Sequence, residues 1–152
     1  MKVCIFNKLE NREKLRSRFA RSPFTDTNVL AHSKADEDFL KHLDEVIEAH
    51  YANSSFSMED MAKEFNMSRA SFYRKISGIM DMSPNDYLRF ARLKKAAKLF
   101  REDLVRVNEV CYLVGFNSPS YFAKCFQKQF GIAPKDFLEK SLQEARKNIE
   151  KG

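Results

Sequence analysis

The stretch Val110-Cys-Tyr-Leu-Val-Gly-Phe-Asn-Ser-Pro-Ser-Tyr-Phe-Ala-Lys-Cys-Phe126, followed by Gly131-Ile-Ala-Pro134, decides how this chain folds. Val107, Val110, Cys111 and Val114 fall at i, i+3, i+4 and i+7, the buried stripe of a short helix. Gly115 stops that helix and Ser118-Pro119 opens a second one, which ends at Gly131. Phe122 and Phe126 turn inward on the second helix. In a helix-turn-helix, a small residue in the first helix lets the two helices cross closely, and Cys111 holds that place. Four residues on, the turn needs φ > 0, which Gly115 supplies, and the apolar Phe116 plugs the turn.

The same order of features occurs earlier in the chain. Met58, Met61, Ala62 and Phe65 match the first-helix stripe at an offset of 49. One residue is gained in the turn, and Phe72, Arg74 and Ile76 match Phe122, Lys124 and Phe126 at an offset of 50. Asp81-Met-Ser-Pro84 matches Gly131-Ile-Ala-Pro134, and Asp86-Tyr87-Leu88 matches Asp136-Phe137-Leu138. Ala62 is the small residue of this copy, Asn66 the φ > 0 residue and Met67 the plug. Two copies with one internal logic point to a pair of helix-turn-helix units.

Outward from the repeat, the periodicity is helical throughout. Expected helices are Asp36–His50, Ser57–Phe65, Ser68–Met80, Pro84–Arg101, Val105–Val114, Ser118–Phe130 and Pro134–Asn148. Ser57 and Asp60 are spaced as a capping box, and Ser68 and Ser83 as N-caps. In front, Asn7–Arg21 reads as a basic helix and Ser22–Ser33 as a linker. The expectation is an all-α fold with two helix-turn-helix subdomains on one long linking helix, about seven helices, behind a basic helical connector. Its divisions are a connector and linker over 1–34, a DNA-binding domain over 35–140 and a C-terminal helix end and tail over 141–152. Within the domain, the units lie at about 57–80 and 106–130, with the linking helix at 84–101.

Composition agrees. The 152 residues are 43% hydrophobic, enough for a core, and only four Gly and four Pro argue against a turn-dense all-β chain. The net charge of +6 hides a pattern. Residues 1–34 carry +5, residues 35–66 carry −7 and residues 67–152 carry +8. Nine basic against two acidic residues lie in 67–101 alone. The acidic helix at 36–50 is expected to stand away from any polyanion, and the basic block to face one.

The second helix of each unit then becomes a candidate reader of duplex DNA, with its outer N-terminal side chains at base edges. Those are Arg69, Ala70, Tyr73 and Arg74 in the first unit and Pro119, Ser120, Ala123 and Lys124 in the second. An Arg pairs bidentately with guanine, and small residues suit close approach or a thymine methyl. Candidate phosphate contacts are the helix starts Ser57, Ser68, Ser83 and Ser118, with Arg89, Arg92, Lys98, Gln127 and Lys128. A linking helix of about 27 Å suits two grooves one DNA turn apart.

Other chemistries find little purchase. Three Cys without a C-x-x-C pair, and three His sharing no ligand spacing with them, predict no metal and no cofactor. Cys111 and Cys125 read as small core hydrophobes. No phosphate loop, nucleophile elbow or paired-carboxylate cleft is present, so an enzyme is not expected. No apolar run reaches a membrane span and no secretory start is seen, so the expectation is a soluble cytoplasmic chain without membrane contact. Two rival readings stay open: a basic helical module for an acidic protein partner, and an architectural nucleic-acid binder.

The motif Val110–Phe126 with Gly131-Ile-Ala-Pro134 closely resembles the signature of AraC/XylS-type transcription regulators, and the similarity extends over about residues 36–140. The resemblance implies promoter binding through two helix-turn-helix subdomains, with RNA polymerase as a further partner. It places base reading at Ala70, Tyr73, Arg74, Pro119, Ser120 and Lys124. Asp81 stands where the family usually has Gly, so an altered turn is expected there, and Asn66 likewise replaces a Gly. Ser77 and Gln127 stand where Lys is common, with weaker phosphate contact expected. The segment from Leu9 to Phe19, the Pro-bearing linker and Ala35-Asp-Glu-Asp-Phe-Leu40 resemble the joint between receiver and output domains in hybrid two-component regulators of Bacteroidetes. That likeness implies an output piece of a longer protein, homodimerisation of the whole, and control of polysaccharide-utilisation genes; a free-standing small regulator is the alternative.

Overall fold

Five helix starts in this chain fall where a serine supplies an oxygen to close the first turn. Residues 33–102 and 106–151 are described by the computed structural model, and among them are seven helices and no strand. The helices are α1 (Lys34–His50), α2 (Met58–Glu64), α3 (Arg69–Met80), α4 (Pro84–Glu102), α5 (Val107–Leu113), α6 (Pro119–Phe130) and α7 (Pro134–Lys151). The expected helix Asn7–Arg21, its linker up to residue 32, and residues 103–105 lie outside the described residues.

Ser33 Oγ accepts from the Asp36 N–H, so α1 starts two residues before the expected Asp36. At α2 the capping box is complete: Ser57 Oγ accepts from the Asp60 N–H, and Asp60 Oδ2 accepts from the Ser57 N–H at 3.0 Å. Ser68, Ser83 and Ser118 accept in the same way from Ser71, Asp86 and Tyr121. α7 continues as one helix through Lys151, three residues beyond the expected Asn148.

The linking helix is the spine. Its 19 residues pack against α2, α3, α5, α6 and α7. Tyr87, Leu88 and Phe90 enter a core with Leu40, Leu43, Met61, Phe72 and Ile76. One helical repeat later, Leu93, Ala96, Ala97 and Phe100 enter a second core with Val110, Cys111, Phe122 and Phe126. Phe72, Phe122 and Phe126 are fully buried, each contributing roughly 1.5–3 kcal/mol by leaving water. In the second core, Phe126 stands edge-on to Phe100, Phe130 and Phe137, with centroids 4.9–5.9 Å apart. Tyr51 and Phe130 touch both cores, so the two units are joined by side chains as well as by α4.

The acidic helix is more than a solvated face. Three of its carboxylates bind inward: Asp36 to Lys75 Nζ at 3.0 Å, Asp44 to the Tyr87 hydroxyl at 3.0 Å, and Glu48 to Lys95 Nζ at 2.7 Å. Burial works against the charge on Lys95, but the Glu48 hydrogen bond and charge outweigh it and hold the ammonium above its ordinary pKa. Lys95 also lies 5.1 Å from the Tyr51 ring centroid. The acidic block therefore clamps α1 to α3 and α4, and takes Lys75 and Lys95 out of the free positive surface.

Candidate nucleic-acid interface

The two turns are one structure made twice. In the first, Asn66 N–H donates to Lys63 O at 3.0 Å and Met67 N–H donates back to Ala62 O at 3.1 Å. In the second, Gly115 N–H donates to Tyr112 O at 3.1 Å and Phe116 N–H to Cys111 O at 3.0 Å. A bond spanning five residues over a left-handed residue is the Schellman closure of a helix. Asn66 has φ 53° and Gly115 φ 90°, as the spacing required. Ala62 and Cys111 are buried at the crossing, and burial pushes the Cys111 thiol pKa up.

The turns after α3 and α6 also match. Asp81 is left-handed at φ 59° and donates its N–H to Ser77 O at 3.0 Å; Gly131, at φ 76°, donates to Gln127 O at 2.8 Å. The expected alteration of the turn at Asp81 is thus absent: an Asp adopts the conformation that Gly adopts in the other copy, because its short polar side chain tolerates the left-handed region.

With Phe72 and Ile76 held inside, α3 turns Arg69, Ala70, Tyr73 and Arg74 to solvent, Tyr73 at 47% exposure. With Phe122 and Phe126 inside, α6 exposes Ser120 and Lys124 and half-exposes Pro119 and Ala123. All eight expected base readers therefore lie on the two outer faces. Arg69 also pairs with Glu59 at 3.2 Å, both side chains well exposed, so this pair is weak and exchangeable. Arg74, Lys98, Lys124 and Lys128 are exposed and form no ion pair among the described residues.

Two expected phosphate contacts have other occupations. Ser57 gives its N–H and hydroxyl to the Asp60 carboxylate, which those bonds hold below its ordinary pKa, so the start of α2 already carries an anion. Arg92 turns its guanidinium into the molecule, donating to Asn53 O at 2.9 Å, and burial lowers its pKa. The remaining candidates, Ser68, Ser83, Arg89, Ser118, Gln127, Lys98 and Lys128, keep at least partial exposure, with Arg89 bound to Asp86 at 3.2 Å.

One further side chain lies on the outer face of α6. Tyr121 is 50% exposed on α6, beside Arg89 and Asp86 of α4, and a hydrogen bond with Cys125 pushes its phenol pKa up. Its spacing with Lys124 and Lys128, i, i+3 and i+7, is the signal that places all three on one face. Among the described residues no group of His, Cys, Asp and Glu is arranged to hold a metal ion. No described helix is long and apolar enough to cross a membrane.

Two matched helix-turn-helix units on one rigid helix, each presenting a polar second helix, define a DNA-binding domain. The family profile described as a helix-turn-helix domain matches residues 61–140. Over 136 residues the chain is 34% identical to histidine kinase P4 of Formosa agariphila, covering 90% of this chain and 10% of that protein. It spans about half or less of the other curated relatives it matches. The C-terminal domain of AraT, a response regulator from Geobacillus stearothermophilus, superposes with a TM-score of 0.59 at 25% identity, covering 66% of this chain and 83% of that one. The DNA-binding domain of AdpA, solved with a target DNA, gives a TM-score of 0.59 at 26% identity, covering 66% and 88%. The chain belongs to the helix-turn-helix family, of the AraC type.

Proposed function

We propose that this chain is the DNA-reading output segment of a two-component regulator, which places α3 and α6 in adjacent major grooves on one face of a duplex. The carrying observation is the duplication itself: two identically hydrogen-bonded turns, each followed by a 12-residue helix with a polar outer face, set on a 19-residue spacer. That spacer is about 28 Å long, of the order of the ~34 Å between successive grooves on one face.

In this reading Arg69, Ala70, Tyr73 and Arg74 meet the bases of one half-site, and Pro119, Ser120, Ala123 and Lys124 those of the other. Ser68, Ser83, Arg89, Lys98, Ser118, Gln127 and Lys128 meet phosphates, joined by Tyr121. Backbone contacts hold the register, and the base edges supply sequence. Support for the two-component setting comes from the response-regulator neighbour and from the histidine kinase of which this chain matches a tenth. Control of carbohydrate-utilisation promoters, contact with RNA polymerase and dimerisation through Asn7–Arg21 belong to the same proposal for the full-length regulator, on the strength of the resemblance to hybrid regulators.

The test is a gel shift on a panel of duplexes with non-specific competitor across a salt series. Retention of a subset of sequences in excess competitor is expected. Uniform binding to every duplex would favour an architectural binder, and no binding at low salt a protein-interaction module.

A further inference from the structure

Arg92 lies where the front of the first unit meets the turn of the second. Its guanidinium donates to Asn53 O at 2.9 Å and approaches Phe56 O at 3.5 Å, both in the segment leading into α2. Its Nε is buried and has no partner. On the other side stands Gly115, the left-handed residue of the second turn. A Cβ built on Gly115 would fall against the Tyr51 carbonyl oxygen and 3.2 Å from Arg92 Nε. The Gly115 backbone is therefore seated between the end of α1 and the Arg92 side chain. This also explains why the two copies differ: the first turn accepts Asn66 because φ alone is demanded there, whereas the second needs the absence of a side chain as well. Around the same point, Tyr51 packs into both cores and Lys95 ties its ring to Glu48.

We propose that Arg92, wedged between the Asn53–Phe56 carbonyls and Gly115, is the joint that fixes the angle between the two recognition helices, and so is a positioning residue that sets the permitted spacing of the two DNA half-sites. This rests on the two-groove reading above. A rigid joint makes the second half-site an intramolecular partner at one spacing only. A loosened joint spreads the second helix over many positions, which lowers the effective concentration at the correct spacing and raises it at the wrong ones.

The experiment compares the full chain with Arg92→Met and Arg92→Lys on duplexes carrying both half-sites at the selected spacing, at that spacing with two base pairs added or removed, and on each half-site alone. For the parent protein, affinity falls at least about tenfold off the selected spacing. For Arg92→Met, half-site affinities stay within about twofold, the paired site weakens, and the spacing preference shrinks to less than about threefold. Arg92→Lys, which keeps a donor for Asn53 O but not the planar fork, falls between. An unchanged spacing profile in Arg92→Met overturns the proposal, as does loss of half-site binding with helicity intact, which would make Arg92 a direct DNA contact.

A second measurement needs no DNA. Spin labels carried by non-canonical residues at Lys63 and Lys135, both exposed and in different units, report the distance between units. A distribution broadened by Arg92→Met is expected, and equal widths overturn the joint. If the parent protein shows no spacing preference but the distribution still broadens, it is the two-groove reading that fails and not the joint.

Discussion

Replacing Gly115 with Ala, beside the same change at Gly131, separates the two demands made on a left-handed glycine. Both have positive φ, 90° and 76°. An L-residue there costs about 1–2 kcal/mol, offset by the roughly 0.4–1 kcal/mol that Ala gains by restricting the unfolded chain. At Gly131 nothing lies within 4 Å of an added Cβ, so the net cost is about 0–1.6 kcal/mol. At Gly115 the Cβ would meet the Tyr51 carbonyl and stand 3.2 and 3.3 Å from Arg92 Nε and Cζ. Moving backbone out of its way adds about 1–3 kcal/mol, for a total of about 1–4.6 kcal/mol. Urea unfolding followed by circular dichroism, with equal m values in the two variants, reads the difference directly. Costs at the two glycines agreeing within about 0.5 kcal/mol would refute the close seating of the second turn against α1 and α4.

Three further outcomes follow from the surface. Arg74→Ala is expected to cost roughly 1–3 kcal/mol of binding and to relax preference at a single base position, read by competition with singly substituted duplexes; a uniform loss over all sequences would make it a phosphate contact. Lys98→Ala should lower the salt slope of binding by about one and leave the consensus alone, and an altered consensus contradicts its placement. Asp36→Ala should destabilise the fold by about 1–2 kcal/mol by leaving Lys75 unpaired against α1, seen as a lower urea midpoint; no change would show that α1 is held by its apolar face alone.

What the sequence made legible is what short-range geometry controls. The capping box at Ser57, the caps at Ser68, Ser83 and Ser118, and the left-handed places at Asn66 and Gly115 each depend on residues a few positions apart, and each stands where the spacing put it. The fold class followed from the repeat of those short patterns. The turn at Asp81 departs from the expectation because the backbone there asks only for a residue that tolerates φ near 60°, and not for glycine itself. The inward use of Asp36, Asp44 and Glu48 depends on partners 39 to 47 residues away, which a charge count along the chain does not reveal. Arg92 depends on distant partners in the same way: on a helix full of cations it reads as one more phosphate contact, and only the fold brings Asn53 and Gly115 beside it. Tyr121 is legible only through its spacing to Lys124 and Lys128, which puts the three on one face of α6.

The central claim is that one chain reads two adjacent major grooves. In-vitro selection from a random duplex library, using the full chain at physiological salt, tests it most directly. The account predicts an enriched site with two conserved blocks centred about 10–10.5 base pairs apart, one position of the first relaxed in Arg74→Ala and one position of the second in Lys124→Ala. A single compact block indifferent to one of these substitutions, or no enrichment at all, would contradict it.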